Sequence, residues 1–200
     1  MTKGYEPGSF GIHPHKILIY LLIGAVTALF LSFSAAYLYT RYNHGLNALP
    51  IPPIFLINVL VLLGTSYCLH LAKRYYLADR TEQYKKILLV TIVLTIVFLA
   101  GQVLGWQSMI SQEIAVNQHT GASYLYLISG VHLAHVLAGL PFLILFYITA
   151  VRRMVEPVSV LLYFSDPEKK MKLDLLTLYW HYLDILWIYL VVFFAINYFL

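Results

Sequence analysis

The stretches 17–40, 87–112 and 114–151 of this 200-residue chain contain no Asp, Glu, Lys or Arg at all. Each is longer than the roughly 20 residues an α-helix needs to cross the hydrocarbon of a bilayer. A chain that devotes this much of its length to uncharged apolar sequence cannot hide it in the interior of a soluble domain of the same size. The composition agrees, with 60% hydrophobic and 11% charged residues, where soluble domains run near a quarter charged. The spacing of the apolar runs predicts an all-α integral membrane bundle of five transmembrane helices, at about 17–41, 53–77, 86–110, 123–151 and 175–199, forming one domain over 1–200.

The breakers fall at the joints. Pro50, Pro52 and Pro53 precede the second span, where proline suits a first helical turn and not an interior. NQHTG (117–121) separates the third from the fourth, and Pro157, Ser165, Asp166 and Pro167 sit in the longest polar connection. Residues 1–16 are polar, and the apolar run after them is too long for a signal-peptide core. Arg41 and Tyr42 follow it in place of a small-residue cleavage site, so it reads as a retained first helix. Five spans leave only short connections and no separate soluble catalytic domain. The single cysteine, Cys68, falls in an apolar stretch and reads as a small packing residue.

Basic residues near helix ends are retained on the cytoplasmic side. Alternating the spans puts Lys3, Lys16, Lys73, Arg74, Arg80, Lys85, Lys86, Arg152, Arg153, Lys169, Lys170 and Lys172 on the side of the N-terminus, and only Arg41 on the other. The N-terminus is therefore expected in the cytoplasm. The net charge of +4 is topogenic, touches anionic headgroups and is no nucleic-acid signal. No internal repeat or heptad pattern suggests the inverted repeats of a transporter.

Ionisable groups inside spans are costly unless paired or turned into protein, which makes each a candidate site. The fourth span carries His132 and His135 and the fifth His181 and Asp184. Each pair is three apart and shares a helix face. At about 1.5 Å of rise per residue His135 and Asp184 lie at comparable depth, so a carboxylate facing an imidazole near the midplane is expected. Three readings are open: a haem or metal site of three imidazoles and a carboxylate, a proton relay, or a hydrogen-bonded clamp between helices. His70 sits near Lys73 and Arg74 and is expected at the headgroups. Gly101 and Gly105 form a GxxxG read as a packing face. Trp106 and tyrosines such as Tyr37, Tyr39, Tyr67 and Tyr124 fall toward span ends, where amphipathic rings settle. His13 and His15 are at best a weak metal-binding pair, and no nucleophile constellation, phosphate loop or cysteine metal motif is present.

YWHYLDILWIYLVVFF (179–194) closely resembles the last-helix signature of subunit III of haem-copper oxidases, YWHFVDVVWLFLF, and SGVHLAHVLAGL (129–140) is similar to that family's GFHGLHVLIG segment. In order with these fall an asparagine helix ending in small hydroxyl residues, from Asn58 to His70, a glutamine-to-tryptophan step from Gln102 to Trp106, and AAYLYTR (35–41), like the end of the family's first core helix. The resemblance covers all five spans, which correspond to the last five of the seven helices of the common forms. It implies the cytochrome c oxidase subunit III family: a non-catalytic subunit of a proton-pumping terminal oxidase in aerobic electron transport, multi-pass in the bacterial plasma membrane. The haems and copper would belong to partner chains. It implies packing on subunit I, with subunit II and other oxidase subunits nearby, a respiratory supercomplex as a further association, and bound phospholipid. It also implies support of proton uptake and protection of the active site during turnover.

By the same resemblance His132, His135, His181 and Asp184 are buried polar structure and hold no metal, and Asp174 keeps the acidic position seven residues before the last-helix histidine. Two departures accompany it. Val26 stands where the family places a glutamate in its first core helix, and Gly105 replaces a second glutamate before the tryptophan. The alternatives are a quinol oxidase or nitric oxide reductase accessory subunit of the same superfamily, or, from another class, a free-standing haem or metal membrane protein.

Overall fold

The computed structural model describes residues 13–46, 50–114 and 120–199. Lys3, the rest of the polar stretch to residue 12 and most of the NQHTG joint lie outside the described residues. The elements are α1 (Pro14–His44), α2 (Pro53–Leu77), α3 (Thr81–Ser111), α4 (Thr120–Arg153), α5 (Pro157–Ser165) and α6 (Pro167–Phe199). All but α5 are long and apolar enough to cross a membrane. α2 coincides with the expected 53–77, whereas the other four overrun their expected spans, α6 by eight residues at its start.

Prolines open α1, α2, α5 and α6, where the missing N–H would have had no intrahelical partner anyway. This is why the connection after α4 is not the polar joint expected from its prolines. Pro157 and Pro167 start helices, and the VSVLLYF between them (158–164) folds as α5. Pro141 leaves α4 continuous. α1 ends on Gly45 in the left-handed region, at φ 58°, a conformation glycine adopts without a Cβ clash.

α2 and α3 form a close antiparallel pair around a three-residue turn at 78–80. α6 runs against both α2 and α4, α4 also packs on α3, and α1 lies at the edge against α4 and α6. Five alternating spans require the first and last to run the same way, and a ladder between α1 and α6 has this geometry. Thr27 meets the Tyr182 hydroxyl at 2.9 Å, Tyr189 donates to Ser34 at 2.9 Å and Arg41 donates to the Asn197 side chain at 2.9 Å. The steps are seven residues on α1 and seven to eight on α6, a heptad-like seam carried by polar residues that the apolar pattern does not reveal.

The two ends of the bundle differ in charge as the alternation of spans requires. At one end Lys73 pairs with Asp174 at 2.7 Å, Lys172 with Glu168 at 2.6 Å, and the Lys85 ammonium reaches the Met154 carbonyl at 3.0 Å. Arg41 sits at the other end and also donates to the Asn197 carbonyl, where a cation suits the C-terminus of a helix. The core between them is aromatic: Trp180, Trp187, Phe98 and Phe30 are fully buried, while leucines such as Leu21 and Leu60 on the outside are 69% exposed, as a lipid-facing surface should be.

Candidate functional site

The two segments singled out in the sequence pack directly on one another. Gly139 on α4 lies under α6 so closely that a Cβ there would stand 2.8 Å from the Tyr179 ring and 2.9 Å from Trp180. One turn back, the Tyr179 hydroxyl donates to the His135 carbonyl at 2.9 Å, and a turn further His132 donates through Nε2 to the Leu183 carbonyl at 3.1 Å. The residue without a side chain permits the approach, and the hydrogen bonds fix the register. His132 is fully buried, with the rings of Trp187 at 5.0 Å and Phe98 at 5.8 Å.

The expected carboxylate–imidazole pair between these helices does not form. His135 turns its Nδ1–H back to the Val131 carbonyl of its own helix at 2.7 Å and lies edge-on to Phe30. His181 and Asp184 share a face, but that face is turned to α2: His181 meets the Ser66 hydroxyl, and Thr65 donates to Asp184 at 3.5 Å. Successive residues on a helix are about 100° apart, and α6 lies between α2 and α4. Trp180 and Leu183 therefore meet α4, while the neighbouring positions 181 and 184 meet α2. The α4–α6 hydrogen bonds put His135 level with Tyr179 and His132 level with Leu183, and depth alone does not choose between two neighbouring helices. Among the described residues, no three His, Cys, Asp or Glu side chains come together as a set that could hold a metal ion.

The remaining sequence-selected residues spread along the bundle. Asp174 and Lys73 close the α2–α6 seam at its basic end, with exposed His70 one turn before that lysine. Asn58 is buried at the α2–α3 contact and donates to the Phe98 carbonyl at 3.4 Å. Trp106 donates its indole N–H to Ser129 on α4 at 3.0 Å. Thr65, Ser66 and Gly139 were missed as site residues. The GTS run (64–66) and the LAGL run (137–140) were visible, but a hydroxyl or glycine in a span does not say which helix it faces.

Both departures have packing reasons. Val26 is buried in the core at 3% exposure, so an aliphatic side chain fills the place where a carboxylate was expected. At Gly105 a Cβ would overlap the Phe55 ring, so the α2–α3 contact leaves no room for the second glutamate.

Gln102 is fully buried, and neither end of its amide has a hydrogen-bond partner among the described residues. An unpaired buried amide costs about 1–3 kcal/mol. Gln102→Met, nearly the same shape without the polar atoms, is therefore expected to leave assembly intact and to stabilise the protein by roughly 1 kcal/mol. A thermal-unfolding series in detergent reads this directly, and a lower midpoint would mean that the amide has a structural partner.

A family model described as Cytochrome c oxidase subunit III matches residues 18–199. "Cytochrome c oxidase subunit 3" of Synechocystis sp. is 27% identical over 202 residues, covering 95% of this chain and 81% of that protein. "Probable quinol oxidase subunit 3" of Staphylococcus saprophyticus is 26% identical over 139 residues, and its namesake in Staphylococcus haemolyticus 25% over 138. Each of those two alignments covers 69% of this chain and 64% of the relative, a little under two thirds of its length.

Proposed function

The chain belongs to the cytochrome c oxidase subunit III family, and on that premise we propose that it is a non-catalytic subunit of a proton-pumping haem-copper terminal oxidase, seated against the large haem-bearing subunit I. It is a multi-pass protein of the plasma membrane, with five helices able to span it. A subunit III works in association with other oxidase subunits. In this reading the haems and copper lie in those partners, and this chain supports proton uptake and stabilises the complex. The basic end of the bundle faces the cytoplasm, as the distribution of lysine and arginine favours.

The observation that carries the reading is what the histidines do. His132 and His135 direct ring N–H groups to main-chain carbonyls, and His181 is engaged by Ser66. The first and last of these contacts tie α6 to α4 and to α2, the His135 bond closes on its own helix, and all three suit a scaffold better than a cofactor cage.

The test is intact mass spectrometry and a visible spectrum of the complex purified through a tag on the full chain. The expected result is co-purification of a large haem-bearing subunit, with the Soret band following that subunit when the complex is dissociated. A Soret band that stays with this chain and vanishes in His132→Ala or His181→Ala would defeat the proposal. The relatives carry both cytochrome c and quinol oxidase names, so the donor is read from which reduced substrate the complex oxidises. Copper in a partner would separate an oxidase from a nitric oxide reductase.

A further inference from the structure

Asp184 lies deep in α6 and is 3% exposed. Among the described residues no Lys, Arg or His side chain forms an ion pair with it. Lys73, at the basic end of the same α2–α6 seam, is taken by Asp174 at 2.7 Å. A carboxylate so enclosed has to be paired or neutralised.

The oxygens around it have already committed their protons. Thr65 faces Oδ1 at 3.5 Å, but its single proton goes to the Leu62 carbonyl at 2.7 Å. The neighbouring Ser66 hydroxyl is engaged with Nδ1 of His181. Oδ2 is buried and has no hydrogen-bond partner among the described residues. The 3.5 Å contact therefore sets two lone-pair-bearing oxygens against each other with no proton between them. Oxygens that ligate a calcium-sized ion at about 2.3–2.6 Å stand roughly 3.3–3.7 Å apart at right angles. Sodium has nearly that size and carries the single charge that one carboxylate balances.

We propose that Asp184, Thr65 and Ser66 bind a sodium ion between α2 and α6, with water completing its oxygen shell. The carboxylate supplies the charge and the two hydroxyls supply neutral oxygens, the hard donors such a cation takes. No imidazole serves as a ligand: His181, half-buried beside Ser66, holds that hydroxyl in place. The bound ion neutralises an acid that the membrane interior otherwise penalises. The family resemblance gives Asp184 no ligand, and the site rests on the α2–α6 contact alone, whichever oxidase the chain serves.

The test uses the complex that co-purifies with the full chain, equilibrated with radiolabelled sodium in choline buffer. Asp184→Asn is expected to lose one bound sodium per complex relative to the parent. Thr65→Val, the same shape without the oxygen, should weaken that site about tenfold. Potassium, too large for the spacing, should compete at least about fivefold less well than sodium. Asp174→Asn, an acid of the same helix outside the site, should keep the full sodium count. Sodium at about threefold its dissociation constant should raise the parent's thermal midpoint by roughly 2–3 °C more than that of Asp184→Asn. In choline alone the two should melt together, and this comparison carries the test if Thr65→Val does not assemble. An unchanged sodium count in Asp184→Asn, the same loss in Asp174→Asn, equal competition by potassium, or midpoints that move together would each overturn the proposal.

Discussion

Gly105→Leu is expected to remove most of the folded protein from the membrane, and Gly101→Leu to do nearly as much. At Gly105 the first added carbon would overlap the Phe55 ring and at Gly101 the Asn58 side chain. Neither neighbour can move aside. Phe55 is 3% exposed, with Trp187 packed edge-on at 5.4 Å, and Asn58 is 2% exposed. α2 and α3 would have to separate along their length, and lipid offers no hydrophobic penalty to hold them together. Overpacking of a tight core costs about 1–3 kcal/mol and occasionally more, and a leucine at this contact belongs at or beyond the upper end.

Alanine scanning of the same helix pair supplies the control. Gly64 on α2 has only a Leu94 methyl within ordinary contact, at 3.5 Å. Gly64→Ala should therefore be neutral or gain up to about 1 kcal/mol from helix propensity. Gly105→Ala should instead lose stability, the same chemical change with the opposite sign. Membrane abundance and thermal midpoints in detergent check both. A folded Gly105→Leu with an unchanged midpoint would show that α2 and α3 are not held at this contact.

What the sequence made legible follows from how much each feature constrains. An uncharged run of more than twenty residues has few physical outcomes, so the five spans could be read directly from the chain. The GxxxG at Gly101 and Gly105 was read as a packing face, and it is one. The partner of a polar residue was less legible. Asp184 was expected to face an imidazole on α4 because depth follows from counting residues, but it faces Thr65 on α2 because α6 sits between two helices and one step along it changes the neighbour. α5 is hidden for a different reason: flanking prolines suit a joint as well as a first helical turn, and here each of them opens a helix. The α1–α6 ladder was invisible because Thr27, Ser34 and Tyr189 are unremarkable singly and gain meaning only from their shared spacing across two helices far apart in the chain.

The signature of α6 can be separated into packing and polar parts by two substitutions three residues apart. Trp187 is 1% exposed and is surrounded by rings on three other helices: Phe55 at 5.4 Å, Phe98 at 5.6 Å and His132 at 5.0 Å. In a bilayer its removal does not forfeit transfer out of water, since lipid is as apolar as the core. What remains is the cavity, and Trp187→Ala is expected to cost roughly 2–4 kcal/mol on that ground. Asp184 contributes far less, since its contact with Thr65 is long at 3.5 Å and that hydroxyl already donates to the Leu62 carbonyl at 2.7 Å. Asp184→Asn keeps the shape and an acceptor, and a change within about 1 kcal/mol is expected. In purified complexes, then, Trp187→Ala should deplete the subunit while Asp184→Asn leaves both its amount and the turnover per complex near the parent values. Full assembly with turnover nearly abolished in Asp184→Asn would mean that the carboxyl takes part in proton movement, and the scaffold reading of α6 would fail at that residue.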